Sequence, residues 1–283
     1  MSTENVYQVI ENHVVMLSNM KSSPYYKQFD DKIDFWENNI AQITETLELL
    51  LAVQGKWSYL ESIFRGQQDI SKQLPQESSV FNKINQDFKI EMERINKEKN
   101  AYRALIVKGF INILQELNKK LEYIQKNLNQ FLEGKRGQFP RFYFLSNDDL
   151  LEIIGQAKDP EPIQKHIKKI FEGTCTLGIN STGRAPNKQH EITSLISVEK
   201  EIVDLRKPVI VDPRVESWLK ALLEAMREAL KYIFYKFYTD NMAAAKKLPE
   251  RDKLLKIIRS TQGQVLITAA QMAWTTEVTQ ALV

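Results

Sequence analysis

A phosphate-binding loop needs Gly-x-x-x-x-Gly-Lys-Ser/Thr opening a helix, so that backbone N–H groups wrap a phosphate and the lysine neutralises it. Two glycine pairs have that interval. Gly173 and Gly178 are followed by Ile179-Asn180, and Gly178 and Gly183 by Arg184-Ala185. Neither supplies the lysine and hydroxyl, so both read as loop glycines. His13, His166 and His190 are far apart, and His190-Glu191 lacks the histidine four residues on that a zinc protease motif requires. Cys175 has no neighbouring histidine to activate it, and no Gly-x-Ser-x-Gly elbow occurs. The pair Asp148-Asp149 could do acid–base work, but Ser146 three residues before Asp149 makes it the acidic first turn of a capped helix. The aromatic run Phe142–Phe144 could stack on bases, yet it has no basic flanks and reads as a short buried strand. These residues point to a mechanical or binding module and not to an enzyme or a cofactor or metal site.

Composition agrees. Of 283 residues, 43% are hydrophobic and 27% charged, as in ordinary folded chains. Lys and Arg exceed Asp and Glu by 39 − 36 = +3, too little for a nucleic-acid footprint. The single cysteine leaves no internal disulfide and fits a reducing compartment. No basic n-region with an apolar core opens the chain, and no uncharged apolar run reaches about 18 residues. The expectation is a cytosolic chain with no membrane partner.

The elements that would position these residues are mostly helices. Val6, Val9, Ile10, His13, Val14, Leu17 and Met20 recur at helical spacing, and Ser22 to Pro24 break the pattern. A second helix runs from about Tyr25 to Phe64, about 60 Å long at 1.5 Å per residue. Gly66 to Pro75 connects it to a third, at 76–97, and a fourth is expected over 101–133, stopped by Gly134 and Gly137. Pro140 ends helical continuation. Short helices follow at 147–155 and from Asp159-Pro160 to Phe171. Thr174–Ile179, Glu191–Val198 and Glu201–Val211 are β-branched and read as a small antiparallel β element over about 174–211, with 180–190 as a flexible loop. Asp212-Pro213 then starts a long helix to about Tyr238, followed by helices at 250–259 and 262–282.

The expected fold is mainly α: an elongated rod of antiparallel helix bundles with a small antiparallel β element in its second half. Residues 1–138 would form one part and 139–283 the other. Trp36, Trp57, Phe142, Phe144, Trp218 and Trp274 read as packing anchors. Gly66, Pro75, Gly134, Gly137 and Pro140 interrupt long helices and are the hinge candidates.

Several stretches, in order, resemble the linker region of dynein heavy chains. Val53-Gln54-Gly55-Lys56-Trp57-Ser58-Tyr59-Leu60-Glu61-Ser62-Ile63-Phe64 is similar to the family's Gln-x-x-Trp-x-Tyr-Leu-Glu-x-Ile-Phe stretch. Asp69-Ile70-Ser71-Lys72-Gln73-Leu74-Pro75-Gln76-Glu77 is similar to its continuation. Glu133-Gly134-Lys135-Arg136 followed by Phe139 to Asp148 is the strongest piece. Lys158-Asp159-Pro160, Ile167 to Gly173, Val215 to Leu219 and Gln264 to Val278 extend the resemblance over nearly the whole chain. One departure stands out: the family usually has Glu-Gly-Glu in the β element, where this chain has Glu199-Lys200-Glu201.

The resemblance implies a helical arm that bends and straightens over a ring of ATPase modules, driving minus-end-directed movement on microtubules. ATP and Mg would belong to the ring, which this chain does not reach. Nor does it include the microtubule-binding stalk or the distal tail. The implied partners are the ring modules and, through the wider complex, intermediate and light chains. Microtubules would be engaged only indirectly. The implied setting is the cytoskeleton, of the ciliary or flagellar axoneme in particular. A different class of reading is a stand-alone helical scaffold that binds dynein-associated subunits and has no motor activity.

Overall fold

Helical spacing and caps account for most of the architecture. In a computed structural model, residues 3–66, 68–157, 159–182, 189–241 and 251–282 are described. They divide into two compact units, Met1–Phe131 and Leu132–Val283.

The first unit holds α1 (Thr3–Lys21), α2 (Asp30–Gly66), α3 (Gln68–Gln73), α4 (Pro75–Lys97), α5 (Ala101–Leu105) and the larger part of α6 (Phe110–Gln138). Its helices pair antiparallel, as partner numbers fall on one helix while rising on the other. Trp57 meets Phe88 and Phe64 meets Phe81 across α2 and α4. Asn127 donates to Glu77 while Arg94 covers Phe110 across α4 and α6. Leu60, Ile63, Phe81, Ile84, Phe88, Leu114, Leu121 and Leu128 are buried between them. Removing this apolar surface from water, at about 25 cal/mol per Å², is what holds the bundle.

The helix expected at 101–133 is two helices. Gly109, at φ +86, takes a left-handed conformation open to glycine and breaks the pattern between α5 and α6. Nor do Gly134 and Gly137 stop α6, which runs through both to Gln138. One glycine costs a helix only about 1 kcal/mol, whereas Phe139, extended before Pro140, ends it outright. The connection expected at Gly66–Pro75 carries the short helix α3.

In the second unit, Phe142–Phe144 are not a strand. Pro140–Phe144 form a 3-10 turn, with Phe142 N–H bonded to the Phe139 carbonyl at 3.0 Å and Leu145 N–H to Phe142 at 3.1 Å. With helices close on both sides, these residues find local i to i+3 bonds and not a ladder. Helices α7 (Asn147–Gly155) and α8 (Pro160–Ile170) follow, then β1 (Thr174–Thr182), β2 (Gln189–Ser197) and β3 (Ile202–Ile210). The described strands form a three-stranded antiparallel sheet in the order β1-β2-β3. Gly178 sits where the β1–β2 register shifts, and a Cβ there would lie 2.2 Å from Ser194 Oγ. The chain thus has the expected mainly helical fold with a small antiparallel sheet in its second half. Most of the loop expected at 180–190, including Gly183 and Pro186, lies outside the described residues.

Helix α8 packs on β1, and α9 (Val215–Asn241) on β3. Helices α10 (Arg251–Ser260) and α11 (Gly263–Leu282) complete the unit. Phe139, Phe142, Leu150, Ile154, Ile163, Ile167, Phe171, Trp218 and Leu222 are buried in it. A smaller cluster of Phe237, Val265 and Ala269 joins α9 to α11.

Candidate functional site

Around the 3-10 turn of the second unit, two arginines hold neighbouring helix ends. Arg136, on the last turn of α6, donates to the Leu145 carbonyl at 3.2 Å, to Asn147 Oδ1 at 2.8 Å and to Glu133 Oε1 at 2.8 Å. It therefore ties α6 to the start of α7. Arg141 donates to the Ile170 carbonyl at 2.8 Å and lies 5.0 Å from the Phe171 ring centroid, satisfying a carbonyl that α8 leaves free at its end. Phe139 packs edge-on against Phe142 beneath them.

Helices α7 and α8 are joined by a second charged set. Ser146 Oγ caps α7 by accepting from Asp149 N–H at 3.1 Å. Asp149 also accepts from Lys169 Nζ at 2.7 Å. The Lys169 hydrogen bond is the main reason the Asp149 carboxyl lies below its usual range; burial opposes it, and the Ser146 contact assists. His166 is buried between two carboxylates, with Nε2 3.1 Å from Glu152 Oε2 and Nδ1 3.3 Å from Asp149 Oδ1. Asp149 and Glu152, three apart on α7, thus face His166 and Lys169, three apart on α8.

These charged groups pair across α7 and α8. Among the described residues, no cluster of three or more His, Cys, Asp or Glu could hold a metal ion. Gly173, at φ +81, lies in the turn between α8 and β1, and Gly178 lies inside β1, so this glycine pair opens no helix. Gly183, of the other pair, is outside the described residues. An apolar groove of about 490 Å³ in the first unit, lined by Val9, Ile10, Ile43 and Leu47 among others, does not border the charged sets. Among the described residues, no helix is long and apolar enough to cross a membrane.

The hinge candidates occupy distinct places. Gly66 is the last residue of α2 and Pro75 the first of α4. Gly134 and Gly137 lie within α6, and Pro140 begins the 3-10 turn. Among the aromatic residues, Trp218 and Phe142 are buried, and Trp57 is half-buried with its N–H on Asn85 Oδ1 at 3.2 Å. Trp36 is partly exposed against Phe35 and Tyr102. Phe144 and Trp274, read as anchors, are instead 72% and 67% exposed. The 3-10 geometry turns Phe144 outward, and α11 buries only Val265 and Ala269.

The family model described as "Dynein heavy chain, N-terminal region 2" matches residues 1–237. The chain belongs to this family. It is the linker region of a dynein heavy chain, distinct from the ATPase ring. Over 99% of its length it is 42% identical to the dynein-1-beta heavy chain of the flagellar inner arm I1 complex of Chlamydomonas reinhardtii. It is 44% identical to dynein axonemal heavy chain 2 of Mus musculus over 99% of its length. To cytoplasmic dynein 2 heavy chain 1 of the same animal it is 38% identical over 98%. The chain spans about 6% of the length of these relatives.

Within this dynein region, sequence reading found the Phe139–Asp148 stretch but not the roles of Arg136, Arg141, His166 or Lys169. The i, i+3 spacing of Asp149 with Glu152, and of His166 with Lys169, was the available signal. Nothing local pointed to Arg141 meeting a carbonyl 29 residues away.

Proposed function

We propose that the chain is the mechanical lever of a dynein heavy chain, bending and straightening over the ATPase ring to produce minus-end-directed movement on microtubules. The single observation that carries this reading is the collinear match to dynein heavy chains over nearly the whole chain. The charged tie of Arg141 to the end of α8 supports it, because a fixed helix end passes force on with little compliance. The two parts of the lever are residues 1–138 and 139–283. Its hinges are Gly66–Pro75 and Gly134–Pro140, where few residues absorb a backbone change. ATP and Mg act in the ring, intermediate and light chains join through the wider complex, and the setting is the axoneme.

The test replaces the matching region of a flagellar inner-arm heavy chain with these 283 residues. Fluorophores at the start of the region and on the ring then report distance as ATP is added. The expected result is an ATP-dependent distance change together with microtubule gliding. An unchanged distance with normal gliding would overturn the lever reading. Tight binding of dynein-associated subunits by the isolated chain would favour a scaffold instead.

A further inference from the structure

The start of α11 is capped from another part of the chain. Gln262 stands at its N-cap position, where Leu266 N–H bonds to the Gln262 carbonyl at 3.1 Å. Ser, Thr, Asp or Asn would serve there with their own side-chain oxygen. Gln262 does not: its side-chain amide donates to the Ile202 carbonyl at 2.7 Å, 60 residues away. The oxygen that meets the free helix N–H comes from Glu201, whose Oε1 accepts from Gly263 N–H at 2.8 Å. A carboxylate in that place is favoured by both the free donor and the helix dipole.

Glu201 is held in position by its own turn. Ser197 Oγ accepts from Glu201 N–H at 3.0 Å, and Ser197 N–H donates to the Glu201 carbonyl at 2.9 Å. Lys200 adopts φ +66 to complete the turn between β2 and β3. By contrast, the rest of α11 is lightly docked. Of its described residues only Val265 and Ala269 are buried, while Ile267, Met272, Trp274 and Leu282 are exposed.

We propose that the β2–β3 turn is a latch for α11, with Glu201 as its catch and Gln262 as its second point of hold, so that α11 can detach while the sheet stays folded. The geometry puts both points of hold at the first turn of α11. The few apolar contacts beyond them make α11 an element of low local stability.

Hydrogen exchange on the 283-residue chain tests this, with amides of α11, β2 and α7 read separately. Glu201→Ala should speed exchange across α11 by about 2- to 30-fold, the range of a lost N-terminal cap, and leave β2 and α7 unchanged. Gln262→Ala should act in the same direction. Glu201→Gln, which keeps an oxygen acceptor without the charge, should give a smaller rise. Glu199→Ala, on the same turn, should change nothing. Unchanged α11 exchange in both Glu201→Ala and Gln262→Ala would overturn the latch. So would an equal rise in α11, β2 and α7, because the contact would then serve general stability.

Discussion

Lys135 Nζ lies 2.8 Å from Glu216 Oε1, joining the last turn of α6 to the first turn of α9, and the two side chains are only 14% and 9% exposed. Both are within the second unit. Glu216 also sits at a helix N-terminus, where a carboxylate is favoured. Removing one partner strips the other buried charge of this ion pair. Lys135→Met or Glu216→Gln should each cost about 3–5 kcal/mol, and the double replacement less than the sum. Chemical denaturation in a double-mutant cycle reads this, and strictly additive losses would show that the pair is not coupled.

The tryptophans should separate by burial. Trp218→Ala should cost about 3–5 kcal/mol, since the ring is fully enclosed. Trp57→Ala should cost toward the lower end, as that side chain is half-buried but loses its bond to Asn85. Trp274→Ala should stay within about 0.5 kcal/mol. A large loss at Trp274 would place that ring in an apolar contact with another part of the chain.

Lys200, at φ +66, holds a backbone shape that suits glycine. A non-glycine residue in the left-handed region carries strain of about 1–2 kcal/mol. Glycine relieves it but widens the unfolded ensemble by about 0.4–1 kcal/mol. Lys200→Gly should therefore raise stability by up to about 1.6 kcal/mol, seen as a higher melting temperature. A lower melting temperature would mean that the lysine side chain contributes a contact outweighing the strain.

Asp149 makes part of the stability depend on pH. Its carboxyl lies below the usual range in the folded chain, chiefly through Lys169. The unfolded chain therefore binds a proton first as pH falls. The contribution is complete above the ordinary aspartate value, near pH 4, and disappears as pH drops through the lower folded value. Lys169→Met should flatten stability in that acid window and leave its slope at neutral pH unchanged. An acid slope identical to that of the unaltered chain would exclude the Asp149–Lys169 contact as its source.

The hinge segments give a fifth expectation. Amides of 68–74 and 134–139 should exchange faster than those in the middle of α2 and α4, because bending draws on elements of low local stability. Equal protection throughout would remove both segments as hinges.

The sequence alone determined where most helices begin and that the chain is a dynein linker. Ser146, Asp159 and Asp212 announce helix starts because caps and turns act within a few residues. Apolar spacing announced α1, α2, α4 and α9 for the same reason, since one helix face repeats locally. It failed at Gly134 and Gly137, where a cost of about 1 kcal/mol per glycine did not stop α6, whose Lys135 and Arg136 are held by Glu216, Leu145 and Asn147. It failed at Phe142–Phe144 because strand preference needs a partner strand that neighbouring helices do not supply. Only the tertiary structure decided that Lys135 meets Glu216, 81 residues away, that Arg141 closes α8, and that Glu201 caps α11. It also decided which aromatic rings are enclosed: Trp218 and Trp274 both lie in helices, and burial depends on what the rest of the chain folds against each.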